Sequence, residues 1–309
     1  MLSTKLGLRA IVSLSVSFML LAQVTLLIFG EAHDENFHPE PRQFVAVVVP
    51  SRSQDTWHEP QDASLVNSLL PSLSRSLTDQ DIEHFSVEVL VVFDMGDEFW
   101  EANGIKKHIE QNVYLPVHFL SVAKSTRVPF NEGCRAAYEL GADYIVRVND
   151  DTQFTGKGWL STAVEVLNDF VPAGMGVVGP TCKQGNTEIL THDMVHRTHL
   201  DIFDDYYPVE FDNWYIDDWI TYVYGESHTK QLQPEEWEVI HNTDTYGTRY
   251  TEDKSKSELL PGILIRSKQR IIDFLTIKER KQQRPLILTN TKLVNFHSNL
   301  RKVPTPKLS

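Results

Sequence analysis

The stretch GADYIVRVNDDTQF, residues 141–154, decides how the rest of the chain is read. Tyr144 to Val148 is a short, mostly apolar run of the kind that forms a buried strand, and it stops at Asn149, Asp150 and Asp151. Adjacent carboxylates repel, and burying them without a partner is costly. At a strand end they mark either a solvated turn or a site completed by a cation and an anionic ligand. Hard oxygen donors of this kind suit Mg2+ or Mn2+, which bind through one or two carboxylates together with substrate phosphates.

The flanking sequence alternates strand and helix signals. Phe44 to Pro50 (FVAVVVP) and Val87 to Asp94 (VEVLVVFD) are continuous apolar runs, as in strands covered on both faces. Val117 to Val122, Tyr144 to Val148 and Val177 to Pro180 add shorter strands. Between them, Leu65, Leu69, Leu70, Leu73 and Leu77 recur at helical spacing. Residues 131–140 (NEGCRAAYEL) read as a helix closed by Gly141, and Trp159, Leu160, Ala163, Val164, Leu167 and Phe170 as another. This order indicates an α/β domain with a mostly parallel sheet. Ligands of such sheets bind beyond the carboxyl ends of the strands. Pro50 to Arg52, Asp94, and Asn149 to Asp151 are therefore expected along one edge.

The chain has 309 residues, enough for one or two domains with a sizeable core. Its net charge of -13 argues against general nucleic-acid binding. The charge is uneven: residues 266–309 hold 11 basic and two acidic side chains, against 18 and 40 in the remainder. A basic extension thus follows an acidic body, as a solvated end or as a segment that covers an anionic site or meets a membrane surface. Cys134 and Cys182 are too few for a disulfide scaffold; they are two buried thiols, or one bond in an oxidising compartment.

Residues 8–29 (LRAIVSLSVSFMLLAQVTLLIF) carry one charge, Arg9. About 20 apolar residues span a hydrocarbon core of ~30 Å. Lys5 and Arg9 precede the run, while Glu31, Asp34 and Glu35 follow it, so the N-terminus is expected in the cytosol. A cleaved signal peptide is the rival, with Gly30 and Ala32 as small residues, but the apolar run exceeds the usual length. The expected organisation is a cytosolic end (1–7), a transmembrane signal anchor (8–29), a stem (30–42), a catalytic domain (43–265) and a basic extension (266–309).

NEGCRAAYELGADYIVRVNDD, residues 131–151, resembles the segment leading to the metal motif of GT-A glycosyltransferases, the family 2-like group in particular. The matching positions are Asn131, Gly133, Ala137, Gly141, Asp143, Tyr144 and Asn149 to Asp151. FVAVVVPSRS is similar to that family's first strand and nucleotide loop, and VLVVFD to its second strand. The resemblance covers roughly residues 43–225 and departs at Asn149, where the family has an Asp. It implies the GT-A, Rossmann-like nucleotide-diphospho-sugar transferase fold, and Mn2+ or Mg2+. It also implies a nucleotide-sugar donor and a glycan, glycoprotein or glycolipid acceptor.

Carried over residue by residue, the resemblance assigns Pro50, Arg52, Asp94, Asn131, Asn149 and Asp150 to the donor, and Asp151 to the metal. Charge complementarity adds Arg127 or a tail cation at the diphosphate. A late histidine often completes the metal site, and His241 in EVIHNTDTYGTRY is the best placed. Inverting members carry a downstream carboxylate as base. FDNWYIDDW, residues 211–219, fits, with Asp218 as base, Asp217 binding acceptor hydroxyls and Trp214 stacking on a sugar. Asn186 and His192 are expected near the transferred sugar. One span, a stem and this fold imply a single-pass enzyme of the Golgi or endoplasmic reticulum, its catalytic domain in the lumen.

Two other readings remain. One is a catalytically inactive sugar- or nucleotide-binding protein on the same fold, which Asn149 favours. The other is a zinc hydrolase, because His192 and His196 are spaced as in H-E-x-x-H, although Asp193 replaces the glutamate. TGKG at Thr155 to Gly158 lacks the rest of a P-loop.

Overall fold

The computed structural model describes residues 41–184, 186–246 and 253–281, with side chains up to residue 278. The span expected at 8–29 and nearly all of the stem lie outside the described residues. Among the described residues no helix is long and apolar enough to cross a membrane.

Ten strands are described: β1 Gln43–Pro50, β2 Phe85–Asp94, β3 Val117–Val122, β4 Tyr144–Arg147, β5 Thr152–Phe154, β6 Val177–Gly179, β7 Thr181–Cys182, β8 Asp193–His196, β9 Thr229–Gln231 and β10 Glu238–His241. The main sheet has the order β3-β2-β1-β4-β8-β6-β9, and β5-β10-β7 form a second, smaller one. β3, β2, β1 and β4 are parallel. β8 then runs antiparallel between β4 and β6, and β9 is parallel to β6. The mostly parallel α/β sheet expected from the strand–helix alternation is therefore present.

Alternation along β1 explains why its sequence is apolar without a break. Val45, Val47 and Val49 enter one hydrophobic core, while Ala46 and Val48 enter the other. A strand with both faces covered has no polar side to show. Helices of seven or more residues form the outer layers: α1 Leu70–Ser76, α2 Asn103–Asn112, α3 Phe130–Glu139, α4 Trp159–Asp169, α5 Ile216–Val223 and α6 Leu260–Lys281. α1, α2 and α4 pack on one face, and α3, α5 and α6 on the other. α3 lies close against the sheet: a Cβ on Gly133 would sit 2.6 Å from Val48 Cγ1 and from Val92 Cγ2. Gly141, at φ 94°, ends the turn after α3 as its sequence position implied.

Two expectations are corrected. The leucine stretch is not one α-helix, since Leu65–Leu69 winds as a π-turn before α1 begins. The boundary expected at residues 265 and 266 falls inside α6. Leu260, Ile263, Leu264, Ile271 and Leu275 of that helix join the core of Ile216, Trp219, Ile220 and Val223 from α5. Arg266 and Arg270, counted with the basic extension, lie on the outer side and pair with Glu210 at 2.8 Å and Asp204 at 2.9 Å. An apolar stripe at helical spacing was hidden among these charges. Cys134 and Cys182 are both buried and free.

Candidate active site

The carboxyl edge of the parallel strands gathers the three expected groups. Pro50 ends β1, and Ser51 Oγ donates to the Asp150 carboxylate at 2.6 Å. Arg52 Nε donates to Asp94 Oδ2 at 2.7 Å, and its NH2 reaches the Ser125 carbonyl at 3.1 Å. Asp94, Asp150 and Asp151 are all buried. Parallel register produces this convergence: Val48 lies opposite Leu90 on one side and Arg147 on the other, so the chain ends beyond them are neighbours.

His241 reaches the same edge through the small sheet. β10 pairs antiparallel with β5 and sets His241 opposite Thr152. Asn242 secures the junction, donating from its backbone N and from Nδ2 to the Asp151 carbonyl at 3.1 and 3.0 Å. His241 Nε2 then stands 3.1 Å from Asp151 Oδ1, and Asn149 Nδ2 lies 3.1 Å from the same ring nitrogen. The 3.1 Å is an ion-pair distance, but the alignment makes no hydrogen bond, and Asp151 Oδ1 is buried without a hydrogen-bond partner. Buried polar atoms are nearly always satisfied, so this oxygen asks for a partner. A carboxylate oxygen and an imidazole nitrogen side by side fit Mn2+ or Mg2+, whose remaining positions are filled by phosphate and water. Among the described residues no group of three or more His, Cys, Asp or Glu is arranged to hold a metal alone.

His192, just before β8, and His196 at its end do not form a zinc pair. Residues 193–196 are a strand, not a helix, and four residues along a strand span ~13 Å. His196 Nδ1 instead bonds Thr198 Oγ1 at 2.7 Å. His192, expected at the sugar, is wholly buried between Thr152 Oγ1 at 2.7 Å and Thr191 Oγ1 at 3.1 Å. Its ring stands edge-on to His241 at 5.3 Å, so it backs the candidate metal ligand rather than facing an acceptor. Burial, with His241 and Arg147 nearby, holds its pKa well below the usual histidine range.

Other assignments shift as well. Asn131 spends both ends of its amide on Tyr207, donating to the carbonyl at 2.9 Å and accepting from the backbone N at 2.8 Å. It pins a loop through both ends of its amide. Arg127 lines a shallow pocket with Val128, Asn131, Tyr207, Asp212 and Ile216, beside α5. Asn186 is exposed and accepts from the Glu188 backbone N at 2.9 Å. Trp214 is 40% exposed just ahead of α5.

Asp217 and Asp218 occupy the first turn of α5, which starts from Tyr215 in the left-handed region at φ 71°. That conformation is a genuine outlier for an aromatic residue. Asp217, expected to bind acceptor hydroxyls, accepts at Oδ1 from Arg147 NH2 at 2.6 Å. Burial pushes Asp217 up to about 6, against the pull of Arg147. Burial and the charges of Asp218 and Glu188 push the Tyr222 phenol up from its ordinary value.

Arg147 was missed from sequence. It is 1% exposed, one strand position opposite buried Asp193, with NH2 2.7 Å from Asp193 Oδ2. Tyr206 and Tyr207 also donate their hydroxyls to Asp193. Burial and the Asp193 charge push both phenols well up, so they remain donors. The signal was available: an arginine inside an apolar strand must bring counter-charges with it.

The sequence matches no protein-family model and none of the curated proteins compared with it. Solved structures to which the chain is similar include S. aureus TarS, at 15% identity and TM-score 0.47 over 75% of this chain. The chain spans 43% of the length of that TarS chain. TarS 1-349 in complex with UDP is similar at 15% identity and TM-score 0.49, over 75% of this chain and 70% of that one. The mannosyltransferase PcManGT from Pyrobaculum calidifontis, in complex with GDP-Man and Mn2+, is similar at 15% identity and TM-score 0.46, over 78% and 66%.

Proposed function

We propose that this chain is a metal-dependent glycosyltransferase that moves a sugar from a nucleoside-diphosphate donor to a hydroxyl acceptor, by a single inverting displacement. One observation carries the reading: the orphaned buried Oδ1 of Asp151 beside His241 Nε2, at the carboxyl edge of a parallel sheet. Mn2+ or Mg2+ held there by Asp151 and His241 would neutralise charge on the diphosphate leaving group.

The other roles belong to the chain's own side chains. Asp150, fixed by Ser51, supports Asp151 from the adjoining position. The Arg52–Asp94 pair offers charged hydrogen-bonding groups to the nucleobase and ribose. Asp218 takes the proton of the acceptor hydroxyl as that oxygen attacks the sugar from the face opposite the diphosphate. Trp214 presents an exposed ring for the apolar face of an acceptor sugar. The same proposal includes anchoring by residues 8–29 and a lumenal catalytic domain, supported by the apolar run and its flanking charges.

The second reading is a binding protein without turnover. Asn149 favours it, because its Nδ2 lies 3.1 Å from the His241 nitrogen that would face a cation. The test is incubation with UDP- and GDP-sugars, Mn2+ and a glycan panel, comparing wild type with Asp218→Asn. Transfer that falls by about 10²- to 10⁴-fold in the variant, with donor binding kept, supports the transferase. Donor binding without transfer in either protein supports the second reading. Neither binding nor transfer excludes both.

A further inference from the structure

We infer that Arg147 is a positioning residue that holds the first turn of α5, and with it Asp218, in register with the end of β4 that leads to Asp151. The inference rests on the transferase reading for what Asp218 does, but the linkage itself is read from geometry alone.

Burying a guanidinium is costly until its partners compensate. A structural role would be met by Asp193 alone, which sits opposite on β8 and is wholly buried. Arg147 has a second carboxylate, and that one comes from another element. Nε bonds Asp193 and Tyr207, NH1 donates to the Thr191 carbonyl, and NH2 reaches both Asp193 and Asp217. The rings of Phe130 and Tyr207 lie 5.1 and 5.3 Å from the guanidinium carbon and confine it. The fork therefore runs from β4 through β8 to α5.

Ile216 and Trp219 seat α5 in the core, and Arg147 adds a polar tie at its first turn. No side chain caps α5, and its N-cap residue is Tyr215 in a left-handed conformation. A planar fork fixes direction as well as distance, which a lysine ammonium does not. Arg147 stands two positions before Asn149 on the chain that leads to Asp151. One side chain thus ties the candidate metal carboxylate to the candidate base, and a misplacement of ~1 Å between such groups costs on the order of 100-fold in rate.

The experiment uses the full chain with Arg147→Lys and, should that variant fold poorly, Asp217→Asn. Amide hydrogen exchange is read by segment, alongside Mn2+-dependent nucleoside-diphosphate binding, kcat and KM. The expected result is faster exchange confined to residues 215–220, nucleotide affinity within about twofold, and kcat lowered by on the order of 100-fold with donor KM little changed. Unchanged exchange at 215–220 in both variants, or exchange raised evenly over the whole sheet, overturns the inference. So does a kcat within about threefold of wild type, which is under 1 kcal/mol. The exchange readout needs no donor. If wild type binds no nucleotide, the transferase reading fails, while the exchange pattern still decides whether Arg147 sets α5.

Discussion

Asp151 Oδ1 and His241 Nε2 stand 3.1 Å apart because β10 returns antiparallel to β5 and sets His241 opposite Thr152. The oxygen is buried and makes no hydrogen bond, although His241 lies at ion-pair distance. Leaving a buried acceptor unsatisfied costs about 1–3 kcal/mol. That cost suits a residue held for a ligand.

Asp151→Asn should therefore leave the metal-free protein as stable as wild type, to within about 1 kcal/mol, or make it more stable. The same change should abolish any rise in melting temperature caused by Mn2+. Urea unfolding in a chelator and thermal unfolding with Mn2+ measure the two effects separately. A large loss of stability without metal would show that Asp151 serves the fold.

Asp217 titrates in an accessible range. Its ordinary value is 3.8 and burial pushes it up to about 6 in the folded chain, against Arg147. A raised folded pKa means the proton binds the folded state more tightly. The contribution is full below about 4 and is lost as pH rises through about 6. His199 and His228, both held down to about 4 by burial, act in the opposite direction over this window. They are common to wild type and Asp217→Asn. The difference in unfolding free energy between the two should therefore move in favour of the variant from pH 4 to 6. A difference that stays flat across that range would show that Asp217 does not titrate there.

Gly133→Ala should destabilise the chain by roughly 1–3 kcal/mol, since the added Cβ would stand 2.6 Å from Val48 and Val92 and press α3 off the sheet. Denaturant unfolding reads the loss directly. An unchanged midpoint would mean that α3 and the sheet can separate freely.

Trp214→Ala should raise the acceptor KM by about 10-fold, or ~1.4 kcal/mol, and leave donor KM and melting temperature alone. Its ring is 40% exposed, so little core packing is lost. Steady-state kinetics with each substrate varied in turn separates the two constants. A rise in donor KM alone would move Trp214 to the other half of the site.

The parallel strands were legible because strands covered on both faces must be apolar throughout, as Val45 to Val49 are. Asp94 and Asn149 to Asp151 were legible as their ends. The rest depended on contacts that local pattern does not encode. β5, β7 and β10 have three, two and four residues, too few to show a period, so the meeting of His241 with Asp151 was reached through the resemblance alone. His192 and His196 suggested a helix because a spacing of four is helical, but β-branched Val195 and the pairing with β4 make that segment a strand. Asn131 was read as a donor contact, and its clamp on Tyr207 was not visible, because an amide can serve either purpose. Arg147 was the visible clue left unread: a charge in an apolar run, whose partners Asp193 and Asp217 lie on two other elements.

The most direct measurement is Mn2+ uptake by the full chain with a nucleoside diphosphate, wild type against Asp151→Asn, followed by the spin-resonance signal of free Mn2+. The expected result is that wild type takes up Mn2+ more tightly with UDP or GDP present, and that Asp151→Asn weakens this by at least about 10-fold. Equal uptake by the two proteins, or none with any nucleotide, would contradict a metal–diphosphate site at Asp151 and His241.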